Sequence, residues 1–362
     1  MGMTMAEKAL SRASDRPEVK PGDYVTASID ILTGNEMFAF AFEILNEAGI
    51  QKIWNPEKVV AMLAAIVPVS NLAWAEYHRV IREGVKKFGI RNFYDIKAGI
   101  CHQVMPEKGY LIPGQLVLGC DSHTCTYGAF GVASTGIGHT ETAYVLATGK
   151  LWMRVPPTIK FILTGDLPPL VMSKDVILYI AGKYTTEVAQ YKSVEFTGPT
   201  AEKMSIDSRM TMSNMGVEIG AKFAFFEANE KTIDYLKGRN TKPVTTFNAD
   251  DDCIYEDVIE LDVSNLEPQV AFPHNVGNAK PVSEVGEIKV DQAFLGSCTN
   301  GRLEDLQIAA EIIKGKKIHS STRLIVMPAS MEVYMDALKT GILETFMDIL
   351  PSAVLHITRI LS

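Results

Sequence analysis

The chain has 362 residues, of which 47% are hydrophobic and 22% charged. These values are typical of a globular protein with two or three domains and exclude a largely disordered chain. The formal net charge of −8 argues against nonspecific binding to nucleic acid or to an anionic membrane surface.

The first residues and the cysteines indicate the compartment. Residues 1–23 contain no apolar core of the kind that a secretory signal requires. The most apolar run, residues 59–69, is too short to cross a bilayer and contains Pro68. The cysteine count of 5 is odd, which is typical of a reducing compartment. We therefore expect a soluble cytoplasmic protein without nucleic-acid or membrane partners.

Helical and strand-like patterns alternate along the chain. Residues 36–48 and 72–87 repeat their apolar side chains at helical spacing, whereas residues 116–120 and 159–165 have the apolar density of buried strands. This alternation predicts an α/β protein with mostly parallel sheets.

Two breaks interrupt the alternation. Pro156 and Pro157 end one helical pattern, and residues 272–288 are rich in Pro, Gly and Asn without any periodicity. The remaining C-terminal segment is short for a domain with a parallel sheet. We therefore predict three domains, which comprise residues 1–156, 157–285 and 286–362.

The stretch VLGCDSHTCTYGAFGVASTGIG, residues 117–138, places polar side chains directly after a predicted strand. The carboxyl ends of parallel strands are where α/β proteins bind ligands. Asp121 and His123 are two residues apart and are suited to proton transfer, with one group orienting the other. A capped turn with a structural histidine is the alternative. The flanking Cys120 and Cys125 are interpreted as small core residues.

Two further stretches carry candidate polar groups. His102, in AGICHQVMPEKG, is alone typical of a structural histidine, although it and Glu107 are also candidates to face a site. Asn214 and Glu218, in MTMSNMGVEIGA, are four residues apart and would share one face of a helix. The apolar residues around them favour a partly buried polar pair.

The stretch LGSCTNGRLEDL, residues 295–306, places Cys298 between a predicted strand and a predicted helix. Thr299 or Asn300 is expected to cap the first helical turn. Free backbone N–H groups at such a turn favour a thiolate. Cys298 is therefore a metal or cluster ligand, a nucleophile or an inert core thiol.

Together, the motifs DSHTCTYGAFG, SNMGVEIGAK and GSCTNGRLEDL resemble the aconitase superfamily, and within it the large subunits of 3-isopropylmalate dehydratase and homoaconitase. The resemblance extends from the first residues to about residue 346. It implies an aconitase-type three-domain large subunit in which the third domain is incomplete. It also implies a [4Fe-4S] cluster held by three cysteines, whose open iron acts as a Lewis acid while dehydration and rehydration move a hydroxyl group.

The resemblance assigns roles to individual residues. It implies that the catalytic groups are Asp121, His123, His102 and Glu218, that Ser122 and Asn214 lie near the substrate, and that Cys298 is the first cluster ligand. The proton-abstracting serine of the superfamily lies on a swivelling domain. In split enzymes that domain is a separate small subunit, so the resemblance also implies a small-subunit partner.

The sequence departs from the family pattern in three places. The family's Cys-x-x-Cys, expected near the end of this chain, is missing, since no cysteine follows Cys298. The family's Asp-His pair is replaced by Ala64 and Ala65, which would remove a general acid. Phe38 replaces a hydroxyl residue that would help to line the substrate pocket. The C-terminal segment is thus truncated or divergent.

Three hypotheses follow. The first is a hydro-lyase large subunit that converts 2-isopropylmalate to 3-isopropylmalate or acts on a related acid, as in homoaconitase or 2,3-dimethylmalate dehydratase. The second is an inactive paralogue, or a fragment, that lacks the cluster and still binds the small subunit. The third is a thiol-dependent enzyme in which Cys298 is the nucleophile and His274 or His319 is the base.

Overall fold

The structure is a computed structural model that describes residues 2–240, residues 242–348 and the backbone of residues 354–355. Thirteen α-helices lie in these ranges. They are α1 (Met5–Ala13), α2 (Phe38–Glu47), α3 (Leu72–Phe88), α4 (Cys101–Glu107), α5 (His139–Thr148), α6 (Ser173–Tyr184), α7 (Pro199–Lys203), α8 (Ile206–Asn214), α9 (Glu230–Leu236), α10 (Ser297–Asn300), α11 (Leu303–Ile313), α12 (Met331–Lys339) and α13 (Ile342–Asp348).

Sixteen strands lie in the same described ranges. They are β1 (Tyr24–Ser28), β2 (Ile31–Gly34), β3 (Val59–Met62), β4 (Asn92–Tyr94), β5 (Leu116–Cys120), β6 (Ala133–Gly136), β7 (Lys150–Arg154), β8 (Thr158–Thr164), β9 (Ser193–Thr197), β10 (Phe223–Phe226), β11 (Asp257–Asp262), β12 (Gln269–Ala271), β13 (Ala279–Pro281), β14 (Gln292–Leu295), β15 (Arg323–Val326) and β16 (Val354–Leu355).

Three parallel sheets form the framework. The first has the order β4-β3-β2-β5-β6, the second the order β10-β9-β8-β11 and the third the order β14-β15-β16. All pairings within these sheets are parallel, whereas β1 with β7 and β12 with β13 form antiparallel pairs. The predicted α/β class with mostly parallel sheets is confirmed. The division into three domains stays a prediction.

The predicted elements form for identifiable local reasons. The helix expected over residues 72–87 is observed as α3, because the Asn71 side chain accepts a hydrogen bond from the Trp74 N–H at one end and Gly89 takes a left-handed conformation at the other. The strand expected over residues 116–120 is β5, which is buried along its whole length in the middle of the first sheet.

Hydrophobic cores cover both faces of the first sheet. One core packs α1, α2 and α5 against it. The core on the other face includes side chains of α4 and α8, and Cys298 and Ala329 from the C-terminal part of the chain also pack into it. The carboxyl end of the first sheet is therefore enclosed by segments that are far apart in sequence. None of the described helices is long and apolar enough to cross a membrane.

Two local predictions are wrong. Thr299 and Asn300 do not cap the long helix after Cys298, because both lie inside the short helix α10. The cap of α11 is instead the backbone N–H of Arg302 bound by the Asp305 carboxylate. Asn214 and Glu218 do not share one α-helix, because α8 ends at Asn214 and a 3-10 turn, Met215–Ile219, follows.

Candidate active site

A cavity of about 740 Å³ opens beside the carboxyl ends of β2 and β5. Its walls include His102, Asp121, His123 and Cys298, which come from three separate parts of the sequence. The structure therefore brings most of the predicted site residues to one place. Their geometry defines what the cavity can do chemically.

Asp121 is the centre of a hydrogen-bond network. It follows β5 directly, and its Oδ1 accepts hydrogen bonds from His102 Nε2 at 2.7 Å and from the His123 N–H at 2.9 Å. Its Oδ2 accepts from Asn35 Nδ2 at 2.8 Å. Burial alone would raise the pKa of Asp121, but the two histidines and these hydrogen bonds lower it to about 2. Asp121 is therefore a carboxylate at neutral pH.

The turn after β5 is held by its own threonines. Thr124 Oγ1 donates to the Asp121 carbonyl at 2.7 Å, and Thr126 Oγ1 donates to the His123 carbonyl at 2.6 Å. Gly136 on the neighbouring strand permits a close approach, because a Cβ there would lie 2.5 Å from the Asp121 carbonyl oxygen. The backbone that carries Asp121 and His123 is therefore fixed on both sides.

His102 is almost completely buried on α4. Its Nδ1 lies 3.3 Å from the Tyr127 hydroxyl, while its Nε2 binds Asp121. Both ring nitrogens thus have partners, and the ring is held in one orientation. Glu107 does not face the cavity with it, since its carboxylate accepts hydrogen bonds from Gln103 and Ser330.

His123 forms a second pair, with Glu218. Its Nε2 lies 3.4 Å from Glu218 Oε1, and its Nδ1 lies 3.1 Å from the exposed Ser122 hydroxyl. Partial burial lowers the pKa of His123, but the Glu218 hydrogen bond and the Asp121 charge outweigh it and raise the pKa overall. The hydrogen bond with His123 lowers the pKa of Glu218. His123 can therefore hold a proton at the edge of the cavity.

Asn214 links the turn after β5 to the region of Cys298. Its Nδ2 donates to Thr126 Oγ1 at 2.8 Å, and its Oδ1 accepts from Thr299 Oγ1 at 2.9 Å. The Asn214 side chain is completely buried and does not line the cavity. It therefore positions the residues on either side of it.

Cys298 stands at the start of α10, as the strand-turn-helix pattern predicts. Gly296 precedes it where a Cβ would lie 2.6 Å from the Met327 carbonyl oxygen, so the turn needs glycine. Burial raises the pKa of Cys298, and this effect outweighs the lowering by its hydrogen bonds and by Arg302.

The structure shows where two departures from the family pattern lie, at Ala64 and Ala65 and at Phe38. Ala65 lines the cavity, and the N–H groups of Ala64, Ala65 and Ile66 donate to the Glu36 carboxylate at 2.9–3.1 Å. Phe38 does not face the cavity, because it is completely buried in the core of the first sheet. The Phe38 side chain, which stands where the family has a hydroxyl residue, is therefore not part of the cavity wall.

Sequence reasoning missed two groups of the site. Asn35 was not singled out, although it follows β2 where the strand ends beside β5. Tyr127 was not singled out either, because an aromatic residue in a glycine-rich stretch gives no signal of its bond to His102. The position of Asn35 at a strand end is the signal that identifies it.

A family model described as "Aconitase family (aconitate hydratase)" matches residues 39–287 and 278–350. The chain belongs to the aconitase family. It is 48% identical over 349 residues to the probable 3-isopropylmalate dehydratase large subunit of Methanothermobacter thermautotrophicus, which covers 96% of this chain and 83% of that protein. It is 45% identical over 354 residues to the 3-isopropylmalate dehydratase large subunit of Aquifex aeolicus, with 96% and 82% covered.

Two further comparisons extend the picture. A probable methanogen homoaconitase large subunit of Methanothermobacter thermautotrophicus is 45% identical, covering 95% of this chain and 82% of that protein. The holo-form crystal structure of Thermococcus kodakaraensis aconitase X superposes with a TM-score of 0.52 at 14% identity, covering 98% of this chain and 84% of that one. This structural similarity supports an aconitase-type fold.

The cysteines near the cavity decide whether this chain fits the cluster that its family implies. No cysteine follows Cys298 in the sequence. Cys101, Cys120 and Cys125 are buried, and Cys125 Sγ donates to the Asn214 carbonyl. An iron-sulfur cluster is held by thiolates. The residues of this chain therefore do not by themselves fit a cluster with three cysteine ligands.

Proposed function

We propose that this chain is the large subunit of a hydro-lyase of the 3-isopropylmalate dehydratase type. Its substrate is a small hydroxy di- or tricarboxylic acid, which the cavity beside β2 and β5 receives. The observation that carries the proposal is the convergence of the pairs His102–Asp121 and His123–Glu218 on that cavity. The identity of 45–48% to dehydratase large subunits supports it.

The residues have separate roles in the proposed reaction. His123 holds or gives up a proton at Nε2, with Glu218 stabilising its imidazolium form. Asp121 and His102 form a buried pair that fixes the backbone of His123 through the 2.9 Å hydrogen bond to its N–H. The exposed Ser122 hydroxyl is available to the substrate, and Asn214 positions the neighbouring turns.

In its family this chemistry uses a Lewis acid on a [4Fe-4S] cluster, for which Cys298 is the matching ligand. Because the donor set of this chain does not complete the cluster, we assign no step to it. A small subunit is the proposed partner, since the relatives are named as large subunits. We place the protein in the cytoplasm, as expected for a biosynthetic enzyme of this kind.

A specific observation favours a second candidate, a family member that binds the small subunit without catalysis. Ala64 and Ala65 stand where the family carries an acid and a histidine. This candidate predicts neither iron nor turnover, even when a small subunit is supplied.

The deciding experiment combines two measurements on one sample. The chain is reconstituted anaerobically with iron and sulfide, mixed with a 3-isopropylmalate dehydratase small subunit and assayed for hydration of the alkene intermediate. The proposed function predicts turnover that is lost in His123→Ala. Absence of turnover, together with iron and acid-labile sulfide near zero per chain, would establish the second candidate instead.

A further inference from the structure

A second chamber of about 460 Å³ adjoins the cavity, and His123 and Thr299 line both. Its polar walls also include Lys174 and Glu218. The two chambers therefore meet at the proton-holding histidine. A ligand that contacts His123 in the cavity can extend one arm into the second chamber.

The second chamber also has apolar lining residues, which are Leu178, Met215, Val270, Ala271 and Val276. Lys174 itself is exposed to solvent. A chamber that combines apolar residues with a few polar groups is typical of a small-molecule site.

Lys174, the second residue of α6, supplies the ammonium group of this chamber. Its side chain forms no hydrogen bond or ion pair with another residue in the described part of the chain. The carboxylates whose charges act on it are Asp175 and Asp305. Each is already bound by other donors, so neither is a dedicated counterion.

Asp175 and Asp305 both accept hydrogen bonds from groups other than Lys174. Asp175 accepts from the Met172 N–H and the Gln269 N–H, both at 2.7 Å. Asp305 accepts from Asn300 Nδ2 at 2.7 Å and from the Arg302 N–H at 3.0 Å. Glu218, the carboxylate that lines the chamber itself, is paired with His123. The Lys174 ammonium is thus left to bind an anion from outside the chain.

We propose that Lys174 binds a carboxylate arm of the substrate in the second chamber. This inference rests on the proposed function, because the ligand that bridges the two chambers is the hydroxy di- or tricarboxylic acid of that reaction. Lys174 is a substrate-binding residue in this arrangement.

The test measures the binding of succinate and of 2-isopropylmalate to the full chain by isothermal titration calorimetry. Lys174→Gln removes the charge, Lys174→Arg keeps it, and Lys183→Gln is the matched control. Lys183 lies on the same helix, with its ammonium 5.3 Å from the Tyr179 ring centroid, and does not line the chamber. Circular dichroism and thermal unfolding establish that each variant is folded.

We expect Lys174→Gln to weaken the binding of both acids about tenfold to a hundredfold, the range for loss of a hydrogen bond to a charged group. Lys174→Arg should stay within a few-fold of the parent chain, and Lys183→Gln should not differ from it. Unchanged affinity in Lys174→Gln would overturn the inference while leaving the proposed function intact. Failure of the parent chain to bind either acid would overturn the inference alone, because the proposed function is tested separately by turnover with the small subunit present.

Discussion

Two carboxylates follow the ends of neighbouring parallel strands and differ in burial: Glu36 is completely buried, whereas Asp121 is partly exposed. Glu36 follows β2 and Asp121 follows β5, and each lies beside a buried histidine, His78 at 3.3 Å and His102 at 2.7 Å. Asp121 accepts hydrogen bonds from His102 and from the His123 N–H, and it faces the cavity. Glu36 binds the backbone N–H groups of residues 64–66 and does not line the cavity. Similar sequence positions thus give one chemical and one structural carboxylate.

The largest expected effect is on the reaction rate and tests the turn that carries Asp121 and His123. His123→Ala removes the group that holds a proton beside Asp121, and loss of such a group costs about a hundred- to ten-thousand-fold in rate. The measurement is the hydration rate with the small subunit present. His319→Ala is the control, because His319 is exposed and bonds only to Ser321 among the described side chains. Unchanged turnover in His123→Ala would count against the role of the turn after β5.

The next effect is on stability and tests the bonds between Glu36 and the backbone of residues 64–66. Glu36→Ala leaves the N–H groups of Ala64, Ala65 and Ile66 without their acceptor, and a buried unpaired group costs about 1–3 kcal/mol. We expect the free energy of unfolding to fall by about 3 kcal/mol in chemical denaturation. Glu36→Gln keeps one carbonyl acceptor and should lose less. Equal stability in all three proteins would contradict the structural role.

The stability of the protein as a function of pH tests the contribution of the Asp121 carboxylate. Its pKa is lowered from 3.8 to about 2, so its stabilising contribution is complete above the unfolded pKa and is lost as the pH falls toward 2. The shift corresponds to about 2 kcal/mol. Between pH 4 and 2, the stability difference between the parent chain and Asp121→Asn should shrink by about that amount in denaturation experiments. A constant difference over this interval would argue against the ion pair.

The smallest effect concerns the thiol of Cys298, whose hydrogen-bond partners in the described part of the chain include the Thr299 hydroxyl and no histidine. Because burial raises the pKa of Cys298, its thiol should react slowly with iodoacetamide at pH 6, no faster than an ordinary cysteine. Mass spectrometry of the labelled peptide measures the rate. Rapid labelling of Cys298 would revive the hypothesis of a nucleophilic thiol.

The sequence predicts the roles of Asp121 and His123 better than it predicts the role of Glu36. Polar residues after a buried strand identify Asp121 and His123, because parallel strands present their carboxyl ends together. Glu36 also follows a strand, but its role depends on the path of residues 64–66, which no local pattern contains. The sequence does not single out Lys174 either, because no local pattern shows that it lines a chamber shared with His123.

The sequence also predicts the position of Cys298 without its protonation state. The strand-turn-helix pattern places the residue correctly, and the turn does start a helix. Cys298 packs into a core shared with α4 and α8, segments that lie about 85 to 195 residues earlier, and this burial raises its pKa. Burial by distant segments outweighs the local helix end.

The bond between Glu36 and residues 64–66 has a consequence for what this loop tolerates. Within the loop the carboxylate binds only main-chain amides, so the path of the loop does not depend on a contact between Glu36 and the side chains at positions 64 and 65. Ala65 lines the cavity, so a substitution there can add a functional group to the cavity wall while the main-chain bond to Glu36 remains. Ala64 is buried in the core beside the first sheet, so a larger side chain there would have to displace its core neighbours.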